Sequence, residues 1–305
     1  EDDFDYVNYL KKDGIKTVML FPEAAITGDI GLGTKDKVKI SLYRGLFSVK
    51  ESFENSVNRV VAEPNASYIN GILLGSRQNI PQDLKDSFNK TGTTHLLAIS
   101  GYNITVIAGV LLAAFVFFVR RRTAFWFSVT AIALFSVMTG GSASVVRASI
   151  MGLVLLFAQG YGRMYDVKNS IILAGSAMVY LNPYVLVFDI GFQLSFFAVL
   201  GLFYLYPILD KKLEKVHKVF GFKEALLATV SAQAFVALPL LYYFGQFSWV
   251  TVPANVLILP LTPFAMIFGF LAGIAGMLYE PFGQMLGVVA WALTEYQLWV
   301  IRLFS

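Results

Sequence analysis

The sequence predicts a mainly α-helical, polytopic membrane protein, with a small β-rich unit and amphipathic helices at its N-terminus. Three observations carry that reading. The chain is 56% hydrophobic and 14% charged, whereas a soluble domain is nearer ~25% charged. Its charge is lopsided: residues 1–93 hold 12 Lys+Arg and 13 Asp+Glu, and residues 94–305 hold 12 and 7. Residues 96–119 run without a charge and stop at Arg120-Arg121-Arg122. At ~1.5 Å per residue that run is long enough to cross a hydrocarbon core of ~30 Å.

Residues 1–45 read as the small β-rich unit. Val38, Ile40 and Leu42 alternate with Lys37, Lys39 and Ser41, the period of a half-buried strand. Lys16–Phe21 is a second, less regular strand candidate, and Gly28, Gly31 and Gly33 mark turns. Forty-five residues are too few for an independent core. The chain also opens at Glu1, with no Met and no signal peptide, so it is expected to be a fragment of something longer.

Residues 46–93 form the second unit, read as amphipathic or interfacial helices. Leu46, Val49, Phe53, Val57 and Val60 recur at helical spacing, with Lys50, Glu51, Glu54, Asn58 and Arg59 between them. Such a helix lies on the membrane surface or against the bundle. After Pro64 a short apolar helix runs to Leu74. Asn79-Ile80-Pro81 predicts a cap and a first-turn proline, Asp83 suits the positive helix end, and Thr91-Gly92 ends the helix.

Residues 94–305 form the third unit, the membrane domain. Its first segment carries His95, Ser100, Asn103 and Thr105, with Gly101, Thr105 and Gly109 every four residues. That stripe lets a neighbouring backbone approach. Seven more hydrophobic segments follow at about 123–141, 144–160, 168–181, 189–207, 224–244, 253–278 and 283–303. The segments at 168–181 and 189–207 are short. The segment at 253–278 contains Pro253, Pro260 and Pro263, so it is expected to be broken or re-entrant, beside protein or a watery cavity. If the first crossing ends inside, the inside loops hold ten Lys+Arg and the loops at 140–143, 182–188 and 245–252 hold none. The positive-inside rule then puts the N-terminal portion, and with eight crossings the C-terminus, outside.

Polar residues in these segments are the candidates for function, because ionised groups in lipid cost ~2.5–3.5 kcal/mol or more. Arg147 opens one segment and Asp189 another, and Gln193 follows Asp189 by one turn. Arg147 and Asp189 either form a structural ion pair or line a polar pathway. His95, Ser100, Asn103, Gln193, Gln233 and Asn255 are candidate lumen residues; singly, each amide also reads as an interhelical hydrogen bond. There is no cysteine, and His95 and His217 are far apart, so no metal or cofactor is expected. No catalytic residue is assigned. Ser100-Gly101 lacks the Gly-x-Ser-Gly setting and no His-Glu-x-x-His occurs, which weighs against an intramembrane hydrolase. A small-solute permease fits the topology, but no inverted repeat is visible.

Several ordered motifs resemble the ComEC-type competence proteins. They are Gly71–Arg77 followed by Thr94–Gly101, Val146-Arg147-Ala148-Ser149-Ile150-Met151, Asn182-Pro183 with Asp189–Phe196, and Gln233, Pro239, Phe244-Gly245 and Asn255–Pro260. Phe4-Asp5-Tyr6, Tyr9-Leu10 and Gly14-Ile15 resemble the tail of the family's external oligonucleotide-binding-type (OB-like) barrel. The resemblance implies an inner-membrane channel for single-stranded DNA during natural transformation. It also implies a cytoplasmic helicase or translocase ATPase and an external DNA-binding competence protein as partners, besides membrane lipid. Tyr102-Asn103 stands where relatives usually have Leu-His. No His-x-His-x-Asp run occurs, so nuclease activity does not carry over.

Each phosphate entering a negative interior works against ~2.3 kcal/mol per 100 mV. Passage therefore needs an engine, and the chain has no phosphate loop of its own. The basic stretch 211–223 is a candidate contact for that engine. Weak, repeated donors from Arg147, side-chain amides and helix N-termini suit conduction better than tight sites do.

Overall fold

A computed structural model of the protein describes residues 10, 15, 33–97, 103–104, 119–160, 162–214, 221–245 and 247–305. Every regular element among them is helical. The helices are α1 (Thr34–Val60), α2 (Asn65–Leu74), α3 (Gln82–Lys90), α4 (Arg121–Met138), α5 (Ala143–Gly160), α6 (Val167–Leu181), α7 (Val185–Phe188), α8 (Ile190–Lys212), α9 (Phe222–Phe244), α10 (Thr251–Ile258), α11 (Thr262–Leu278) and α12 (Glu280–Phe304), with a 3₁₀ turn at Thr94–Leu96.

The expected strand at 37–42 is instead the first part of α1. The reason is visible in one stripe: Val38, Leu42, Leu46, Val49, Phe53, Val57 and Val60 are spaced 4, 4, 3, 4, 4 and 3 apart. That is one helical face from end to end. A lone strand leaves its backbone groups unpaired, whereas a helix pairs its own. No strand lies among the described residues. The other strand candidate, Lys16–Phe21, and the turn glycines Gly28 and Gly31 lie outside the described residues, as does most of the 96–119 segment.

The later hydrophobic segments become α4, α5, α6, α8, α9, the pair α10–α11, and α12. The segment at 253–278 is indeed broken: its two helices are bent by 52°. The segment that starts at Asp189 is not short. Helix α8 runs on through Pro207 to Lys212, and Lys211 and Lys212 in its last turn suit the negative helix end. By length and apolarity α8 and α9 can cross a bilayer, or three spans if the bent pair counts as one, and α4, α5 and α6 are shorter apolar helices. Eight crossings of full length are therefore not present among the described residues.

One continuous core joins α1–α3 to α10–α12. Phe53, Val57 and Val60 of α1, Ile69 and Ile72 of α2, and Leu84 and Phe88 of α3 bury against Ile258, Ala265, Met266 and Ala272 of the bent pair and Leu298 and Ile301 of α12. Glycines make the contact close. A Cβ on Gly273 would lie 2.5 Å from the Phe53 ring, and one on Gly269 2.8 Å from Ile69. Ser56 Oγ donates to the Gly273 carbonyl at 2.7 Å, so α1 and α11 are held backbone to side chain as well as packed.

Helices α4–α9 pack differently. Their contacts run mainly between neighbours in the chain, and many large apolar side chains face outward, including Ile172, Tyr180, Leu181, Tyr204, Leu238 and Tyr242. The closest approach is between α8 and α9, where a Cβ on Gly201 would collide with the Ser231 carbonyl.

Candidate functional site

The polar residues singled out by sequence fall into three settings. The first lies where α2 and α3 meet the opening of the membrane domain. Asn103 is buried, and its Nδ2 donates to the Ile72 carbonyl at 3.0 Å. Ile72 sits in the last turn of α2, where a carbonyl has no intrahelical donor. Asn103 therefore satisfies a helix end that Gly75, in the left-handed region at φ 71°, only partly closes. His95 is exposed, and its Nδ1 lies 3.1 Å from the Gly92 carbonyl. In the neutral ring that contact places the proton on Nδ1 and leaves Nε2 to accept. Arg77 Nε donates to the Leu97 carbonyl at 3.2 Å. Ser100 lies outside the described residues.

The same corner is tied to the bent pair. Ser248 Oγ donates to the Lys90 carbonyl at 2.7 Å, and Thr251 Oγ1 to the Thr91 carbonyl at 3.0 Å. Gly92 adopts φ +64°, and a Cβ there would collide with Thr251 Oγ1. Both the conformation and the close approach require glycine at this position. The Thr91-Gly92 terminator read from sequence thus also fastens α3 to the start of α10. Asn79 is not the cap of α3: Pro81 holds that position, and the Asn79 carbonyl instead accepts from Ser67 Oγ at 3.3 Å.

The second setting is the turn into α8. Asp189 is its N-cap, with Oδ1 accepting from the Phe192 amide at 2.8 Å. Gln193 Nε2 reaches back to the Leu186 and Val187 carbonyls at 3.1 and 3.0 Å. Asn182 Oδ1 accepts from the Tyr184 amide at 3.1 Å. The segment is a self-capped turn, in which side chains satisfy the backbone groups freed around the four-residue α7.

The third setting is buried polarity inside the apolar helices. Arg147 of α5 is buried, its guanidinium stands 5.9 Å from the centroid of the Phe196 ring, and its Nε has no hydrogen-bond partner. Phe196 lies seven residues, or about two turns, beyond Asp189 on the same face of α8. The ion pairs among the described residues are Lys50–Glu54, Lys223–Asp210 and Arg302–Glu295, and Arg147–Asp189 is not among them. Gln233 Oε1 on α9 and Asn255 Oδ1 on α10 are buried and unpartnered, as are Ser149, Thr229 and Ser231 hydroxyls.

Sequence reading missed residues on α12. Gln297 is fully buried, and its Nε2 donates to the Ile258 carbonyl at 3.4 Å and to Thr262 Oγ1 at 3.3 Å, at the break between α10 and α11. Glu295 Oε2 accepts from Asn65 Nδ2 at 3.0 Å, and Arg302 stands 3.9 Å from its other oxygen. The signal available was plain charge and amide content within an otherwise apolar segment. What no local pattern carried was the partner, Asn65, 230 residues away.

The structure thus joins Asn103 to α2 and gathers Asp189 and Gln193 in one turn, while Arg147, Gln233 and Asn255 stand on separate helices. A shallow, open depression lined by Ser52, Asn55, Asn58, Arg59 and Met277 includes none of the predicted residues. No group of three or more His, Asp or Glu side chains suited to a metal ion occurs among the described residues. In the basic stretch 211–223, Lys211 and Lys212 are exposed, and Lys223 is buried in a 2.9 Å ion pair with Asp210 that ties the end of α8 to the start of α9.

Apolar helices with their greasy faces outward, a bent span, and buried polar side chains on several of the helices define a membrane-embedded helical bundle. The chain belongs to the competence protein family, whose model, described as "Competence protein", matches residues 72–305. It is similar to ComE operon protein 3 of Bacillus subtilis (strain 168), with 27% identity over 231 residues, which is 75% of this chain and 29% of the relative. The chain therefore spans less than a third of the length of the curated relative it matches. No solved structure matches it.

Proposed function

We propose that the chain forms the membrane-embedded part of a conduit that admits single-stranded DNA across the bacterial cytoplasmic membrane during natural transformation. Family membership supports a role in competence, and the observation that carries the finer reading is Arg147. A buried guanidinium in an apolar helix, stacked near an aromatic ring and with one N–H unspent, is costly unless it serves an anion or a structural partner. No carboxylate pairs with it among the described residues. Separation of α5 from α8 would open that enclosed N–H to a passing phosphate. In this reading the chain conducts DNA without cutting it. A cytoplasmic helicase or translocase pulls the strand, meeting the basic stretch around Lys211 and Lys212, and an external DNA-binding protein delivers it. The polar N-terminal portion lies outside.

The test is uptake of labelled DNA by cells carrying Arg147→Gln or Arg147→Lys, with membrane levels of the protein measured in parallel. Arg147→Gln is expected to lower uptake several-fold at normal protein levels, and Arg147→Lys to retain part of it. Unchanged uptake in Arg147→Gln removes the residue from the pathway. Competition by small solutes rather than by DNA would favour a permease instead.

A further inference from the structure

Helix α1 uses one stripe for two environments. In its C-terminal half Phe53, Val57 and Val60 are buried against α11, with Val57 fully enclosed. The stripe continues N-terminally beyond the bundle, where Val38, Leu42 and Val49 are 65%, 53% and 60% exposed. There it also widens. Ile40, Tyr43 and Phe47 join it and are exposed as well, with Tyr43 and Phe47 stacked at 6.3 Å between ring centroids. At 100° per residue these positions turn a narrow seam into an apolar arc of roughly 200°. A partner helix fills a narrow seam, whereas a flat apolar medium fills a wide arc.

Charge narrows the choice further. Between Thr34 and Ser48 the only acid is Asp36, against Lys35, Lys37, Lys39 and Arg44. Lys37 and Arg44 stand a heptad apart on the polar side; Asp36, in the first turn, and Lys39 fall within the arc, and the Lys39 stem is long enough to bring its ammonium to a headgroup. We propose that residues 34–49 of α1 lie in the interfacial plane of a bilayer containing anionic phospholipid. The apolar arc sits among the acyl chains there, and Lys37 and Arg44 meet phosphates. The C-terminal half of the same stripe is already docked on an apolar helix of the bundle, so the occupied surface is continuous. The inference does not depend on what the bundle conducts.

The chain has no cysteine, so single cysteines report cleanly. A spin label at Leu42→Cys reads the apolar arc and one at Ser41→Cys the polar side, in the full chain in nanodiscs. With phosphatidylglycerol present, the label at 42 is expected to be relaxed by dissolved oxygen and shielded from a water-soluble nickel chelate, and the label at 41 the reverse. In pure phosphatidylcholine, or with Lys37→Glu and Arg44→Glu combined, that contrast should fall several-fold. Water access at both positions in anionic discs overturns the proposal. So does an equal contrast in neutral lipid, dipolar broadening at 42 from a second copy, or shielding that appears only when single-stranded DNA is added.

Discussion

Two halves of the molecule pack in different ways. Helices α1–α3 with α10–α12 share one core in which Ile69, Ile72, Ile258, Leu298 and Ile301 are all but fully enclosed. Helices α4–α9 do not. Only 11% and 22% of the apolar stretches of α8 and α9 are buried, although among the described residues these are the two single helices both long and apolar enough to span. The first half buries a shared apolar face that would otherwise meet water, although α11 and α12 also turn Leu278, Met285 and Val288 outward. The second has no such incentive among its own helices if lipid surrounds it. Its contacts then rest on close backbone approach and side-chain polarity, as at Gly201 against the Ser231 carbonyl. The halves meet where α9 leads into α10 and where Phe135 and Met138 of α4 pack against the shared core.

The comparison is broken most directly by filling a glycine in each half. A Cβ on Gly287 would collide with the Val60 carbonyl, a backbone atom that cannot rotate away. Gly287→Ala should cost ~1–3 kcal/mol or more through overpacking of the shared core, read as a lowered midpoint of thermal unfolding in detergent. Gly201→Ala makes the equivalent collision between α8 and α9. Since that pair has little core around it, the expected outcome is separation of the two helices, seen as lost cross-linking between paired cysteines, with a smaller change in the unfolding midpoint. Equal effects on the midpoint would mean that α4–α9 are as strongly coupled to the core as α12 is.

A smaller effect sharpens the same contrast from the polar side. Asn65 is fully buried and donates to the Glu295 carboxylate and the Trp291 carbonyl. Asn65→Ala leaves both acceptors short of a donor and should destabilise by ~1.5–3 kcal/mol, the range for hydrogen bonds to charged groups. Glu295→Gln removes the charge but keeps an acceptor, so it should recover part of that loss in the double variant. Additive losses from Asn65→Ala and Glu295→Gln would show that the pair is not coupled.

These residues also mark what the sequence could and could not carry. Apolar runs located the later helices well, because length and hydropathy are local properties. The break between α10 and α11 was legible in Pro253, Pro260 and Pro263, whereas at Asp189 and Gln193 the reading weighed an ion pair, an interhelical hydrogen bond or a lumen, and the local capping of α8 was not among them. The strand at 37–42 failed because a short alternation of Val38, Ile40 and Leu42 satisfies period two. The longer stripe to Val60, which decides for helix, becomes visible only over three heptads. The partnerships Asn65–Glu295 and Gln297–Thr262 depend on which helices meet, and nothing within either segment encodes that. The Gly269, Gly273 and Gly276 series on α11 was in plain view, and its spacing of four and three gives a close-packing face. The stripe stressed instead, Gly101, Thr105 and Gly109, lies outside the described residues.

The smallest expected effect decides between two readings of one carboxylate. Asp189 caps α8 through the Phe192 amide, and removing such a cap costs ~1 kcal/mol, within a range of ~0.5–2. Asp189→Ala should therefore raise hydrogen exchange at the first turn of α8, chiefly at Phe192, and leave the Gly201–Ser231 contact between α8 and α9 intact. Asp189→Asn retains a side-chain acceptor in the same place and should restore most of that protection. If capping is the whole role, DNA uptake follows exchange, reduced in Asp189→Ala and near normal in Asp189→Asn. If the negative charge itself faces the passing strand, the two variants behave alike in uptake while differing in exchange. The outcome therefore separates a residue that builds the outward-exposed half from one that also works in it.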